Sequence, residues 1–252
     1  LLPKARVSFL TYLSFRAQFY STVLPGQLFG EASKLTVWKE QEEDITRVTA
    51  SVIYDRTTGI IGQMIIAAIG FSFSKIGRYN TGKWWFLWGI IAILVFMYFS
   101  TEKHVVKLIE FIIDTISKKS VMLVDKMHEL YAAWCYFSKD KKILMLSVLW
   151  GIINQVMGSI LIFYLSKTIG LAVGFFDYCW IMPIISLILL IPISFAGLGL
   201  RDASLASILA LYKVPSSKAL VVSTSLLLGQ IVAAVIGGVL ILIFDIRGKR
   251  SK

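Results

Sequence analysis

The sequence predicts an all-α fold: a polytopic integral membrane helical bundle with two Pro/Gly-broken re-entrant segments. Three observations carry that prediction. The 252-residue chain is 57% hydrophobic and only 16% charged, against roughly 45–50% and about 25% in an average soluble domain. Its mean hydropathy is +0.75, and several apolar runs approach the ~20 residues that a bilayer-crossing helix needs. Two of those runs end in helix breakers, "LPGQLFGEAS" at 24–33 and "IPISFAGLGLRDAS" at 191–204.

Arg6 to Leu24 is an apolar, aromatic helix carrying Arg16 and Gln18. Pro25-Gly26 stops it, because proline lacks the backbone donor and glycine relaxes the chain. "KEQEEDITR" at 39–47 suits a solvated turn and a helix start. Val48 to Phe73 is a span with Asp55 and Arg56 near its beginning, and Trp84 to Phe99 is a second, with interfacial tryptophans at its start. Lys103 to Phe137 differs: Val105, Leu108, Ile109, Ile112 and Ile116 alternate with Lys107, Glu110, Asp114 and Lys118. That spacing makes residues 101–137 an amphipathic interfacial segment. Ile143 to Leu165 is another span, containing Asn154 and Gln155. Phe175 to Leu190 is apolar but short, and Arg201 to Tyr212 is a small amphipathic helix. Leu220 to Phe244 is the last span.

The net charge of +11 would suggest nucleic acid in a soluble protein. Here the bases cluster in links such as "SKIGRYNTGK", "SKDKK" and "RGKRSK", where topology and anionic headgroups account for them. A multi-pass protein of the cell membrane is expected, with no nucleic-acid partner and the basic C-terminal end on the cytoplasmic side. Residues 1–252 read as a single transmembrane domain. The absence of an initial Met and of a signal pattern points to further membrane helices upstream in a longer protein.

Reaction chemistry is sparse. Cys135 and Cys179 lack CxxC spacing, and His104 and His128 lack a partner cluster, so no metal site is assigned. "AGLGLRD" holds a GxG but not the strand–helix setting of a dinucleotide site, so no cofactor is assigned. Ser194, Ser204 and Asp202 have no histidine nearby in sequence, and no catalytic residue is assigned.

Charges within apolar segments weigh more, because one at the bilayer centre costs on the order of 3 kcal/mol. Arg16, Asp55, Arg56, Arg201 and Asp202 are such charges. Asp55-Arg56 reads either as an interfacial ion pair or as part of a site; Arg201-Asp202, beside the Gly-rich break, favours a headgroup or gating role. Both breaks share one order: apolar run, Pro/Gly interruption, acidic residue with "AS", polar turn, long span. That order suggests inverted repeats, with ordinary surface loops as the alternative. Unwound backbone in a bilayer is tolerated only inside protein or against a wet cavity, and paired broken helices mark binding sites in transporters. Glu31 with Lys34, and Arg201 with Asp202, are expected to neutralise each other while such a site is empty.

"LPGQLFGEASKL", "ASVIYDRTTGIIG", "IPISFAGLGLRDAS" and "KVPSSKALVVSTSLLLGQIVAAVIGG" together resemble the lysylphosphatidylglycerol synthase transmembrane region, a flippase-like family, from about Phe9 onward. The family often has Arg where Lys34 stands and Glu where Asp55 and Asp202 stand. Lys keeps the charge but lacks the bidentate fork of Arg. The resemblance implies translocation or binding of an anionic or aminoacylated phospholipid. Its alternative is a membrane module supporting a separate aminoacyl-lipid synthase or glycosyltransferase domain, with a homo-oligomer compatible with either. The residues it points to for headgroup binding or gating are Pro25, Gly26, Gly30, Glu31, Lys34, Asp55, Arg56, Pro192, Ser194, Gly197, Gly199, Arg201 and Asp202.

Overall fold

Apolar runs of this length can satisfy their backbone groups only within helices, and helices are what form. The computed structural model describes residues 7–24, 27–40, 45–77, 89, 140–190, 194 and 196–250. Among them are seven helices and no strand: α1 (Val7–Val23), α2 (Gln27–Glu40), α3 (Ile45–Phe73), α4 (Lys141–Thr168), α5 (Phe175–Ile188), α6 (Leu200–Ala210) and α7 (Ser216–Arg250). Apart from Gly89, the expected span at 84–99 lies outside the described residues, as do the amphipathic segment at 101–137, Pro25, Gly26 and Pro192.

Local chemistry explains several boundaries. Helix α1 ends at Val23, just before Pro25-Gly26. Asp140 caps α4, its Oδ1 accepting from Lys142 N at 2.9 Å and Ile143 N at 3.4 Å. Helices α5 and α6 start alike. Asp177 Oδ2 reaches back to Gly174 N at 2.9 Å, and Asp202 Oδ2 reaches back to Gly199 N at 3.0 Å. Each is half of a capping box, since the glycine at the N-cap has no side chain to return the bond. Ala196, Gly197 and Gly199 take positive φ of 50°, 78° and 76°. This sharp, glycine-dependent turn is what reverses the chain between α5 and α6.

Among the described residues, three stretches are long and apolar enough to cross a membrane: Val48–Phe73, Lys141–Thr168 and Ser216–Phe244. The outer faces of α4 and α7 carry exposed Leu146, Trp150, Leu161, Val232, Val235 and Leu242. In water such a surface would aggregate; in a bilayer it meets acyl chains. The short helices form hairpins, α1 with α2 and α5 with α6, each leading into a long helix, α3 or α7. Packing is reciprocal: α1 lies against α7, and α5 lies against α3. Helix α4 packs on α3 and α5. The main core gathers round α5, where Tyr178 and Ile181 are sealed by Ile162, Leu205, Leu209 and Val222. At the α3–α4 crossing backbones nearly touch: a Cβ on Gly62 would stand 2.7 Å from Ile152 N and 2.8 Å from the Gly151 carbonyl carbon. Small residues permit such approach between membrane helices.

Candidate headgroup cavity

Where the two hairpin tips meet, the packed apolar core gives way to polar side chains. A cavity of about 580 Å³ is lined by Ser21 and Thr22 from the end of α1 and by Gly30, Glu31 and Lys34 from α2. Leu189, Ser194, Ala196 and Gly197 line it from the turn after α5. A second cavity of about 620 Å³ adjoins it between α3 and α4, and Glu31, Arg56, Gln63, Asn154 and Ser186 line both. Asp55, Gly59 and Gly151 line the second, together with Trp150, which is 68% exposed on the apolar outer face. The polar interior thus continues to the surface that faces lipid.

The sequence-selected residues fall into three groups. Gly30, Glu31, Lys34, Asp55, Arg56, Ser194 and Gly197 line one or both cavities. Gly199, Arg201 and Asp202 line neither cavity, although Arg201 is buried and bonds to Gln230 in the wall of the first; Pro25, Gly26 and Pro192 lie outside the described residues. Gly30 also serves packing: a Cβ there would collide with the Ala17 carbonyl oxygen and sit 2.8 Å from Ser21 Cβ, so any larger residue would push α1 and α2 apart.

The two acid–base pairs behave differently. Lys34 Nζ donates to Glu31 Oε2 at 2.7 Å, one helical turn apart and half-buried, as expected. Arg201 and Asp202 do not pair directly, and that expectation is corrected. Adjacent positions on a helix point about 100° apart, and Asp202 is held at the helix start by its bond to Gly199 N. Ser223 of α7 joins them: Arg201 Nε donates to Ser223 Oγ at 3.2 Å, and the Ser223 hydroxyl donates to Asp202 Oδ1. Arg201 Nη1 donates to Gln230 Oε1 at 2.8 Å, and Gln230 lines the first cavity. Arg201 is only 2% exposed, yet its Nη2 has no hydrogen-bond partner. A buried guanidinium with an unfilled nitrogen is costly unless something answers it.

The model of the lysylphosphatidylglycerol synthase TM region matches residues 4–238. The chain belongs to this family. No curated protein and no solved structure matches it. Membership makes this a membrane protein of a lipid-related family, in keeping with the three long apolar helices among the described residues.

Two features of this family member escaped the reading of motifs. Asp177, 2% exposed, takes Lys75 N at 3.0 Å, Tyr212 Oη at 2.8 Å and Gly174 N at 2.9 Å. Trp180 Nε1 donates to the same Tyr212 oxygen at 3.0 Å. Burial, then the Asp177 carboxylate, holds the Tyr212 phenol above its ordinary range, so it remains a donor. This knot ties the end of α3 to the α6–α7 turn. The second feature is a set of amides at the first cavity: Gln18, Gln63, Asn154, Gln155 and Gln230. Their signal in the sequence was the recurrence of Gln or Asn inside apolar helices.

Proposed function

We propose that this protein is flippase-like: it carries the headgroup of an anionic or aminoacylated phospholipid through the paired cavities while the acyl chains stay outside, at the cell membrane. The observation that carries the reading is the convergence of both hairpin tips, with their charges, on one polar space inside an apolar bundle. Unwound backbone and polar side chains at membrane depth are characteristic of substrate pathways. In this reading the hairpins are re-entrant and enter from opposite faces as inverted repeats. Reciprocal packing of α1 on α7 and α5 on α3 supports it. The headgroup phosphate exchanges with Glu31 for Lys34, and the positive charge of Arg201 lies just behind the wall.

The test is movement of fluorescent phospholipid between leaflets of liposomes containing the purified protein. The wild-type protein should accelerate exchange over empty liposomes, and Lys34→Gln should slow it about tenfold, the lower value for losing one charge-assisted contact. Glu40→Cys at the end of α2 and Lys213→Cys just after α6, at the bases of the two hairpins and each in a protein lacking Cys135 and Cys179, should react with impermeant thiol reagent from opposite sides. Wild-type protein that binds lipid but leaves exchange at the empty-liposome rate would instead favour a membrane module serving a separate enzyme domain.

A further inference from the structure

The wall of the first cavity is richer in amides than in charge. Gln18 comes from α1, Gln63 from α3, Asn154 and Gln155 from α4, and Gln230 from α7. Among the described residues only Gln230 has its amide engaged, through the bond from Arg201. The charged side chains lining the two cavities are two acids, Glu31 and Asp55, and two bases, Lys34 and Arg56. The wall is therefore balanced in charge and dense in neutral donors and acceptors.

A primary amide offers two N–H donors and a carbonyl acceptor, whereas a hydroxyl donates once and accepts twice. Amides thus match neighbouring hydroxyls well, while a bare phosphate, which only accepts, can meet the amide N–H groups but offers the amide carbonyls no donor. Stoichiometry narrows the class. A glycerol headgroup brings about two free hydroxyls, too few for four unengaged amides, whereas a sugar or cyclitol ring brings about four or five. Leaving an amide unmatched once a headgroup has shut it off from water is penalised more than matching it is rewarded, so the wall selects for the ring.

Resting on the reading that this cavity receives a lipid headgroup, we propose that its preferred substrate class is a phosphodiester lipid headed by a polyhydroxylated ring, recognised by the amides of Gln18, Gln63, Asn154 and Gln155. The shared chemistry is a set of neighbouring ring hydroxyls; a cyclitol lipid and a hexose lipid are its two sources.

The experiment is equilibrium binding to the purified full chain in detergent, read by native mass spectrometry. The probes are phosphatidylinositol, a hexosyl polyprenyl monophosphate, phosphatidylglycerol, phosphatidylethanolamine and phosphatidate. One or both ring lipids should bind at least tenfold more tightly than phosphatidylglycerol or phosphatidate, and which one leads identifies the source. Gln63→Met and Gln155→Met keep length and helix propensity while removing the amide. Each should weaken ring-lipid binding about three- to tenfold and leave phosphatidate within twofold. Phosphatidate binding as tightly as the ring lipids, or both variants weakening all probes equally, would overturn the inference while leaving lipid binding intact. Binding of no probe would overturn both this inference and the reading it rests on.

Discussion

Replacing Arg201 with Met separates the chemical role of the guanidinium from its bulk. The side chain makes two hydrogen bonds, to Ser223 Oγ at 3.2 Å and to Gln230 Oε1 at 2.8 Å, and Nη2 makes none. Each charge-assisted bond is worth about 1.5–3 kcal/mol when formed. Against that stands the cost of holding a cation at 2% exposure with its nearest acid joined only through Ser223. Apolar residues of similar volume often replace buried ions at no loss of stability. Thermal stability of Arg201→Met in detergent should therefore stay within about 1–2 kcal/mol of the wild-type protein, a shift of no more than roughly 8 °C in Tm. Lipid exchange should behave differently. If the cation answers a headgroup phosphate across the wall at Gly197 and Gln230, losing one such contact lowers headgroup affinity by about 10- to 150-fold. Exchange measured below saturation should fall in proportion. Arg201→Lys, which keeps charge but cannot hold Ser223 and Gln230 in one planar fork, should fall in between. Normal exchange by Arg201→Met would refute the reasoning and reduce the network to a structural lock. Aggregation of both variants would place the residue with the core instead of the cavity.

Three further expectations follow from close contacts. Gly62→Ala forces a Cβ against backbone atoms of α4 that cannot rotate away, and should cost about 1–3 kcal/mol, lowering Tm by roughly 2–12 °C. Gly59→Ala, one turn earlier with nothing within 4 Å of its Cβ, is the control and should leave Tm unchanged or slightly raised. Asp177→Asn keeps one oxygen where three donors converge and turns an N–H toward at least one of them, so it should cost about 1–3 kcal/mol in thermal unfolding.

Much of the bundle was legible because membrane helices follow strong rules. Apolar length marked spans at Val48–Phe73, Ile143–Leu165 and Leu220–Phe244, which fall within the long apolar helical stretches Val48–Phe73, Lys141–Thr168 and Ser216–Phe244, and Pro25-Gly26 marked the end of α1. The Glu31–Lys34 pair was legible too, because i and i+3 share a helix face. Arg201 with Asp202 was not, because adjacent residues diverge and the true mediator, Ser223, is supplied by another helix. Asp177 gave only a capping cue, toward Gly174 three residues back: its other partners lie 102 and 35 positions away, at Lys75 and Tyr212. The amide wall was visible only piecemeal. Gln18, Asn154 and Gln155 stood out within apolar runs, but their convergence depends on which helix faces meet, and that is tertiary information.

The lengths of the helices explain why a cavity forms where it does. At 1.5 Å per residue, the 14-residue α5 reaches roughly 21 Å and the 17-residue α1 roughly 25 Å, both short of a ~30 Å hydrocarbon core. Each helix end leaves backbone groups unpaired, and a short helix in a bilayer leaves them inside. Only polar side chains or water can meet that need, so the hairpin tips are rich in Ser, Thr and Gly and stand beside charged residues. The tips cannot face lipid, which sets the partner each must seek. By lying against the long helix of the other unit, α1 on α7 and α5 on α3, each hairpin hides its flank and turns its tip inward. Two tips turned inward meet, and the polar groups that neither could bury alone become a shared wall. In the function proposed above, the cavity is the structural consequence of two helices too short to cross, and a lipid headgroup is the occupant proposed for it.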